Sequence, residues 1–375
     1  VTERIDEAST SEYPRQRSRT MDKGRKGNFF EDLEVGRVLR HAGPRTVGEA
    51  DATLYLALTG SRFALQAAAP LAGAWGLRAR PLDDLLVFHL VFGLSVPDLS
   101  VNAVANLGYA DGRFLTPVFP GDTLEARSTV IGRKATSSGR TGIVWVRTEG
   151  RKAGGEPVLD YVRWVLVNKR DPASPPPEPV VPDLPPLVTP ERLVPPVGLA
   201  PRAVDPAETG SPWFFEDYAV GERIDHVDGM AVMESEHRLA TRLYRNTARV
   251  HFDDHVERRG RLGSVIVYGG VVMSIARALS FNGLGNACSI LAINAGTHAN
   301  PCRPGDTIYA WSEVLDRAEP PGRPDLGALR LRLVALKDRP AAGFPLRDAA
   351  GAYLPEVLLD LDYWALVPRR AAAVR

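Results

Sequence analysis

The chain has 375 residues, 44% of them hydrophobic and 24% charged, with a formal net charge of +1. This length exceeds the usual single-core size and favours two domains, and the composition is globular rather than fibrous or disordered. The near-zero charge gives no general field for nucleic acid or an anionic membrane, so neither is an expected partner.

The only cysteines, Cys288 and Cys302, form no CxxC or Cys/His cluster, which excludes a disulfide framework and a zinc signature and fits a reducing cytoplasm. The longest apolar run, Leu85 to Val96, is twelve residues with His89 inside it. That is short of the roughly 18 that a spanning helix needs, so no membrane span is expected. Residues 1–27 are polar, mixed in charge and without an apolar core segment. They read as a disordered or loosely docked tail, not a secretory signal, and their basic residues read as solvated, not as a nucleic-acid arm.

The first unit, residues 28–170, opens on FFEDLEVG at Phe29. A helical patch (Val47–Thr59) and an apolar helix (Leu85–Leu94) follow, and then strand-like runs at Val101–Leu107, Asp122–Ile131, Thr141–Thr148 and Val158–Asn168. Residues 171–205 form a linker whose segment 171–201 carries 12 of the chain's 31 prolines, excluding helix and central strand. The second unit, residues 206–370, repeats the pattern. Helices are expected at Met233–Tyr244 and Gly270–Asn282, and strands at Ser289–Ala295, Asp306–Leu315, Ala328–Lys337 and Glu356–Val367.

FFEDLEVG returns as FFEDYAVG at Phe214, and PGDT at Pro120 returns at Pro304, with offsets of 185 and 184 residues. Two marks in register this far apart indicate internal duplication of one domain. Helices first and antiparallel strands afterwards place each copy in the α+β class, a curved sheet wrapped around the apolar helix. PGDT itself reads as a tight turn.

Chemistry concentrates in LYRNTARVHFDD, Leu243 to Asp254, and in YGGVVM, Tyr268 to Met273. Proton transfer beside a carbonyl needs a group that can take up and return the proton, and donors for the oxygen on which charge develops. His251 can move protons. The backbone N–H groups of Gly269 and Gly270, at a helix start, suit the oxyanion.

These segments resemble the MaoC-like dehydratases, or (R)-specific enoyl-CoA hydratases. The resemblance implies a tandem (double) hotdog fold, no redox cofactor, no metal and an acyl-CoA substrate that itself carries the coenzyme. On that family's G-D-x-N-P-x-H motif, His251 falls on the catalytic histidine and Asn246 on the catalytic aspartate, with Ala248 and Arg249 in place of Asn-Pro. Tyr268-Gly269-Gly270 falls on the glycine turn that receives the thioester oxygen. An amide cannot accept a proton, so Asn246 is left to orient water or imidazole, and Asp253, Asp254, Glu234 and Glu236 are candidates for the missing acid. His251, Asp253, Asp254 and His255 as metal ligands match no standard spacing.

In the first unit the motif aligns with TGSRFALQ, placing Ser61 and Gln66 at the two catalytic positions, so one active site per chain is expected, in the second unit. The segments GSRFALQAAAPLA and RNTARVHF look most like the mesaconyl-CoA hydratase branch, whose dicarboxylic substrates would want an arginine. Arg249, read as a strand neighbour of His251 on one face, is the candidate. Tyr268 is expected to border the substrate, and Arg258, Arg259, Arg261 and Arg303 are candidates for the coenzyme's phosphates. The two halves are expected to pair as a pseudo-dimer, with a homodimer beyond it. The rival functions are a hotdog-fold thioesterase and a non-catalytic acyl-CoA-binding protein.

Overall fold

The computed structural model describes Gly24 and residues 27–372, with the exception of Arg261. Most of the expected tail therefore lies outside the described residues.

Among the described residues eleven strands form one sheet. In the first half they are β1 (Val38–Arg40), β2 (Arg45–Thr46), β3 (Ala103–Phe114), β4 (Thr123–Ala135), β5 (Thr141–Lys152) and β6 (Pro157–Asn168). In the second they are β7 (Arg223–Ala231), β8 (Ser289–His298), β9 (Thr307–Ala318), β10 (Leu326–Lys337) and β11 (Val357–Pro368). The order is β1-β4-β5-β6-β3-β8-β11-β10-β9-β7, with β2 beside β4, so each half repeats one topology in mirrored order. The halves join antiparallel where Tyr109 faces Gly296 and Arg113 faces Ala292. Alternation drives this: in β5, Val144, Val146 and Thr148 are buried while their neighbours are half-exposed.

Four helices position the site: α1 (Glu49–Thr59), α2 (Asp84–Leu99), α3 (Glu234–Leu243) and α4 (Gly269–Leu279). α2 is apolar all round because the sheet covers one side and the second unit the other. It extends past the expected end at Leu94 to Leu99, and Pro97 sits in its last turn. α2 and α4 meet where His89 Nε2 lies 3.0 Å from Ser274 Oγ.

The duplication extends to individual hydrogen bonds. Phe29 and Phe214 N–H donate to the Asp32 and Asp217 carboxylates at 2.9 and 2.8 Å. In each PGDT turn the Gly has φ +97°, and Phe119 and Arg303 N–H donate to the Asp122 and Asp306 carboxylates at 2.9 and 2.8 Å. His41, between Asp98 and Ser128 (both 2.7 Å), has the outline of a catalytic triad. Its counterpart His226 repeats only the serine contact, to Ser312 at 2.9 Å, and both serines are fully buried. These histidines tie β1 and β7 to their neighbours, and no substrate can reach the hydroxyls.

The proline-rich linker packs rather than dangles. Val188, Leu193, Leu199 and Val204 are buried, Val188 N–H donates to Asn294 Oδ1 at 2.8 Å, and Trp364 Nε1 donates to the Val188 carbonyl at 2.9 Å. Arg192 pairs with Asp111 of β3 at 2.8 Å. The strap crosses the seam between the half-sheets. No helix among the described residues is long and apolar enough to cross a membrane.

Candidate active site

Between the two units lies a cavity of about 400 Å³, lined by Phe92, Val96 and Ser100 of α2 and its end, by β3, and by Asn246, His251, Gly269 and His298 of the second unit. Of the residues singled out from sequence, Asn246, His251, Tyr268 and Gly269 border it. Gly270 does not; it is buried beneath the rings of Tyr268 and His89.

RVHF is not a strand. Arg245 adopts φ +57°, and Asn246 Oδ1 then accepts from Ala248 N–H at 2.9 Å, so the chain curls into a 3-10 turn over Arg249–His251. In such a turn residues two apart point in different directions. His251 is buried and Arg249 is exposed, so the expected shared face does not exist. Arg303 is also exposed; its guanidinium bonds Ser264 Oγ (2.6 Å) and the Leu262 carbonyl (3.0 Å), clamping a loop at the cavity's edge. Arg258 and Arg259 are exposed, and Arg261 lies outside the described residues.

His251 Nδ1 lies 3.0 Å from the Ile266 carbonyl oxygen, which can only accept, so Nδ1 carries the hydrogen and Nε2 the lone pair. Among the described residues no hydrogen bond engages Nε2. Burial lowers the His251 pKa to about 4, so the ring is a neutral base at neutral pH. Asn246 Oδ1 takes a backbone N–H, which fixes the amide and leaves its Nδ2 donors open to the cavity.

The N-terminus of α4 has no side-chain cap, and Val271 is the first residue of the helix whose N–H finds a backbone acceptor. That leaves the Gly269 N–H, at the positive end of the helix dipole, open to an oxyanion. A Cβ on Gly269 would meet His298 ring atoms at 2.5 to 2.8 Å. Glycine is thus required here by the imidazole of His298, which sequence reasoning passed over. The internal repeat held the signal: aligned through the PGDT turns, His298 matches Phe114. Burial, then the neighbouring His251, lowers the His298 pKa to about 4, and its Nε2 is 3.3 Å from Tyr109 OH.

None of the proposed substitute acids lines the cavity. Asp253 caps Val256 N–H, Asp254 and Glu234 pair with Arg238 at 2.6 and 2.7 Å, and Glu236 accepts from Met233 N–H. Among the described residues no group of three or more His, Cys, Asp or Glu is arranged to hold a metal.

The corresponding place in the first unit is filled. Asp83 accepts from Leu85 N–H at 2.9 Å and caps α2. Asp84, at the position of Gly269, accepts from Ser289 Oγ and Ile290 N–H at 2.9 and 2.7 Å. Gln66, at the histidine position, donates to the Cys288 carbonyl at 2.8 Å. A carboxyl group, pushed up to about 7 by burial, thus occupies the place where a thioester oxygen would bind.

Acid should destabilise this core. His89 is held at about 3, and His226, His237, His251 and His298 at about 4, each chiefly by burial, below the ordinary 6.5. The unfolded chain binds those protons first, so the stability these five rings contribute is full above pH 6.5 and falls as pH drops from 6.5 through about 4; Asp84, raised by burial to about 7, works in the opposite sense but is a single group against five. Thermal unfolding across that range is the check; a flat midpoint would contradict the burial of these rings.

A solved structure described as a MaoC domain protein dehydratase from Chloroflexus aurantiacus superposes with TM-score 0.91 at 56% identity, covering 93% of this chain and 99% of that one. A Mycobacterium tuberculosis protein described as a double hotdog shares the fold at TM-score 0.68 and 24% identity, over 92% of this chain and 98% of that one. Fold and site thus define a double-hotdog, MaoC-like dehydratase. The chain is 57% identical to beta-methylmalyl-CoA dehydratase of Chloroflexus aurantiacus and 58% identical to mesaconyl-CoA hydratase of Cereibacter sphaeroides, in each case over 92% of this chain and 98% of the relative. The family model for mesaconyl-CoA hydratase matches residues 7–176. The chain belongs to the mesaconyl-CoA hydratase family, enzymes of the lyase class.

Proposed function

We propose that this protein reversibly adds water to mesaconyl-CoA, forming β-methylmalyl-CoA, with one active site per chain. The observation that carries the reading is the pairing, in one cavity, of a neutral imidazole with a free Nε2 and an unpaired helix-terminal N–H at Gly269. Gly269 N–H holds the thioester oxygen. Asn246 Nδ2 donates to the attacking water, and His251 Nε2 takes its proton as the oxygen bonds to the β-carbon. The C=C electrons move to the thioester oxygen as an enolate. His251 then returns the proton to the α-carbon, so base and acid are one residue and the balance closes without a carboxylate. No redox step is involved.

Loss of enoyl-thioester absorbance on mixing enzyme with mesaconyl-CoA tests this directly; release of free thiol instead would assign a thioesterase. The reading carries a cytoplasmic location, supported by two buried, unpaired thiols at Cys288 and Cys302. It also carries pairing of the double-unit chain into a homodimer, which light scattering checks.

A further inference from the structure

The reading above gives the substrate a second carboxylate, yet no described residue lining the cavity is Lys or Arg. A cation stands immediately behind the wall. Arg163 of β6 is fully buried, and among the described residues no carboxylate lies within ion-pair distance of it. Its guanidinium stacks on Phe92 at 4.1 Å and donates to Ser95 Oγ at 2.9 Å and to Ser100 Oγ at 3.4 and 3.5 Å, while Nε has no partner. Phe92 and Ser100 both line the cavity.

A buried guanidinium facing only hydroxyls and aromatic rings is costly unless an anion completes it. The other arginine in the core, Arg277, shares its surroundings with the Asp83 and Asp84 carboxylates, and Arg163 has no such company. Nor does the fold demand it. DYVRWVLV of β6 aligns with DLDYWALV of β11, Asp160 on Asp360 and Trp164 on Trp364, which puts Tyr363 at the position of Arg163. Tyr363 is buried equally well. The duplicated unit therefore packs this site with a neutral ring, and the cation occurs in the half whose α2 residues Phe92 and Val96 line the open cavity.

We propose that Arg163 selects for a carboxylate on the acyl group, acting through Ser100. Ser100 Oγ accepts from the guanidinium, which leaves its O–H to donate into the cavity. Asn106 adds donors to the same cavity: it lines it, and both of its side-chain polar atoms are buried without a partner. Arg163 is thus a positioning and specificity residue that need not touch the reacting atoms.

The inference rests on the proposed hydratase reading, and one set of measurements separates the two. Binding of succinyl-CoA and butyryl-CoA, four-carbon thioesters with and without the carboxylate, is measured by calorimetry on wild type, Arg163→Met and Ser100→Ala. The expected result is that Arg163→Met weakens succinyl-CoA relative to butyryl-CoA by about tenfold or more, the scale of one charge-assisted interaction, with Ser100→Ala changing the ratio in the same direction by about threefold. Parallel weakening of both ligands, or an unchanged ratio, overturns the assignment. If Arg163→Met does not fold, the ratio in Ser100→Ala decides alone. A wild type that hydrates mesaconyl-CoA while the ratios stay fixed sinks only the role of Arg163. A wild type without turnover sinks the reading beneath it.

Discussion

His251→Ala is expected to lower kcat/KM for mesaconyl-CoA by about a thousandfold, within the range that a positioned general acid–base group contributes. The loss is large because no second group in the cavity can take over. Asn246 is an amide and cannot accept a proton, the nearby carboxylates are paired or capping elsewhere, and burial pushes the thiol of Cys302 up to about 12. His298 is engaged by Tyr109 and lies against Gly269. His251→Gln should be as inactive, since an amide can replace the bond to Ile266 but not the proton transfer. Steady-state rates from enoyl absorbance, with circular dichroism confirming the fold, make the comparison; activity within tenfold of wild type would remove His251 from the chemistry.

Gly93→Ala should have the largest effect on folding among single methyl additions in the core. Gly93 sits in α2 where the chain leading to the active-site motif crosses it, and a Cβ there would lie 1.8 Å from the Tyr244 carbonyl oxygen and 3.0 Å from the Arg245 carbonyl carbon. Neither neighbour is the end of a flexible side chain. Tyr244 is fully buried, and Arg245 is held by its own bond to the Gly43 carbonyl at 2.5 Å. The helix or the loop must move, at a cost of about 2 to 4 kcal/mol. The displaced loop carries Asn246 and His251, so turnover at temperatures where the variant stays folded should fall as well. Denaturant unfolding measures the first effect and kcat the second; wild-type stability would show that α2 and the loop are not in this contact.

The duplication was the most legible feature of the chain, because turns and caps depend on local chemistry that a sequence displays. FFED and PGDT each place an aspartate three residues after the N–H it accepts from, and both copies do so. Strand positions followed from alternation, though β3 runs to Phe114, well past Leu107, since its outer half is held between β6 of its own unit and β8 of the other. The 3-10 turn at Arg249–His251 was hidden for a related reason. Alternating polar and apolar residues suggest a strand, but the positive φ of Arg245 and the Asn246 cap redirect the chain, and neither follows from residue type alone. His298 and Arg163 were invisible individually. Each emerges only when its counterpart in the other unit, Phe114 or Tyr363, is set beside it and shows that the fold does not need the polar group.

Mass spectrometry of the thioester after incubation of the wild-type protein with mesaconyl-CoA bears most directly on the assigned reaction. A species heavier by one water, with coenzyme A still attached and in equilibrium with the starting thioester from either direction, is the expected result. Unchanged mesaconyl-CoA, or free coenzyme A beside the acid, would contradict it.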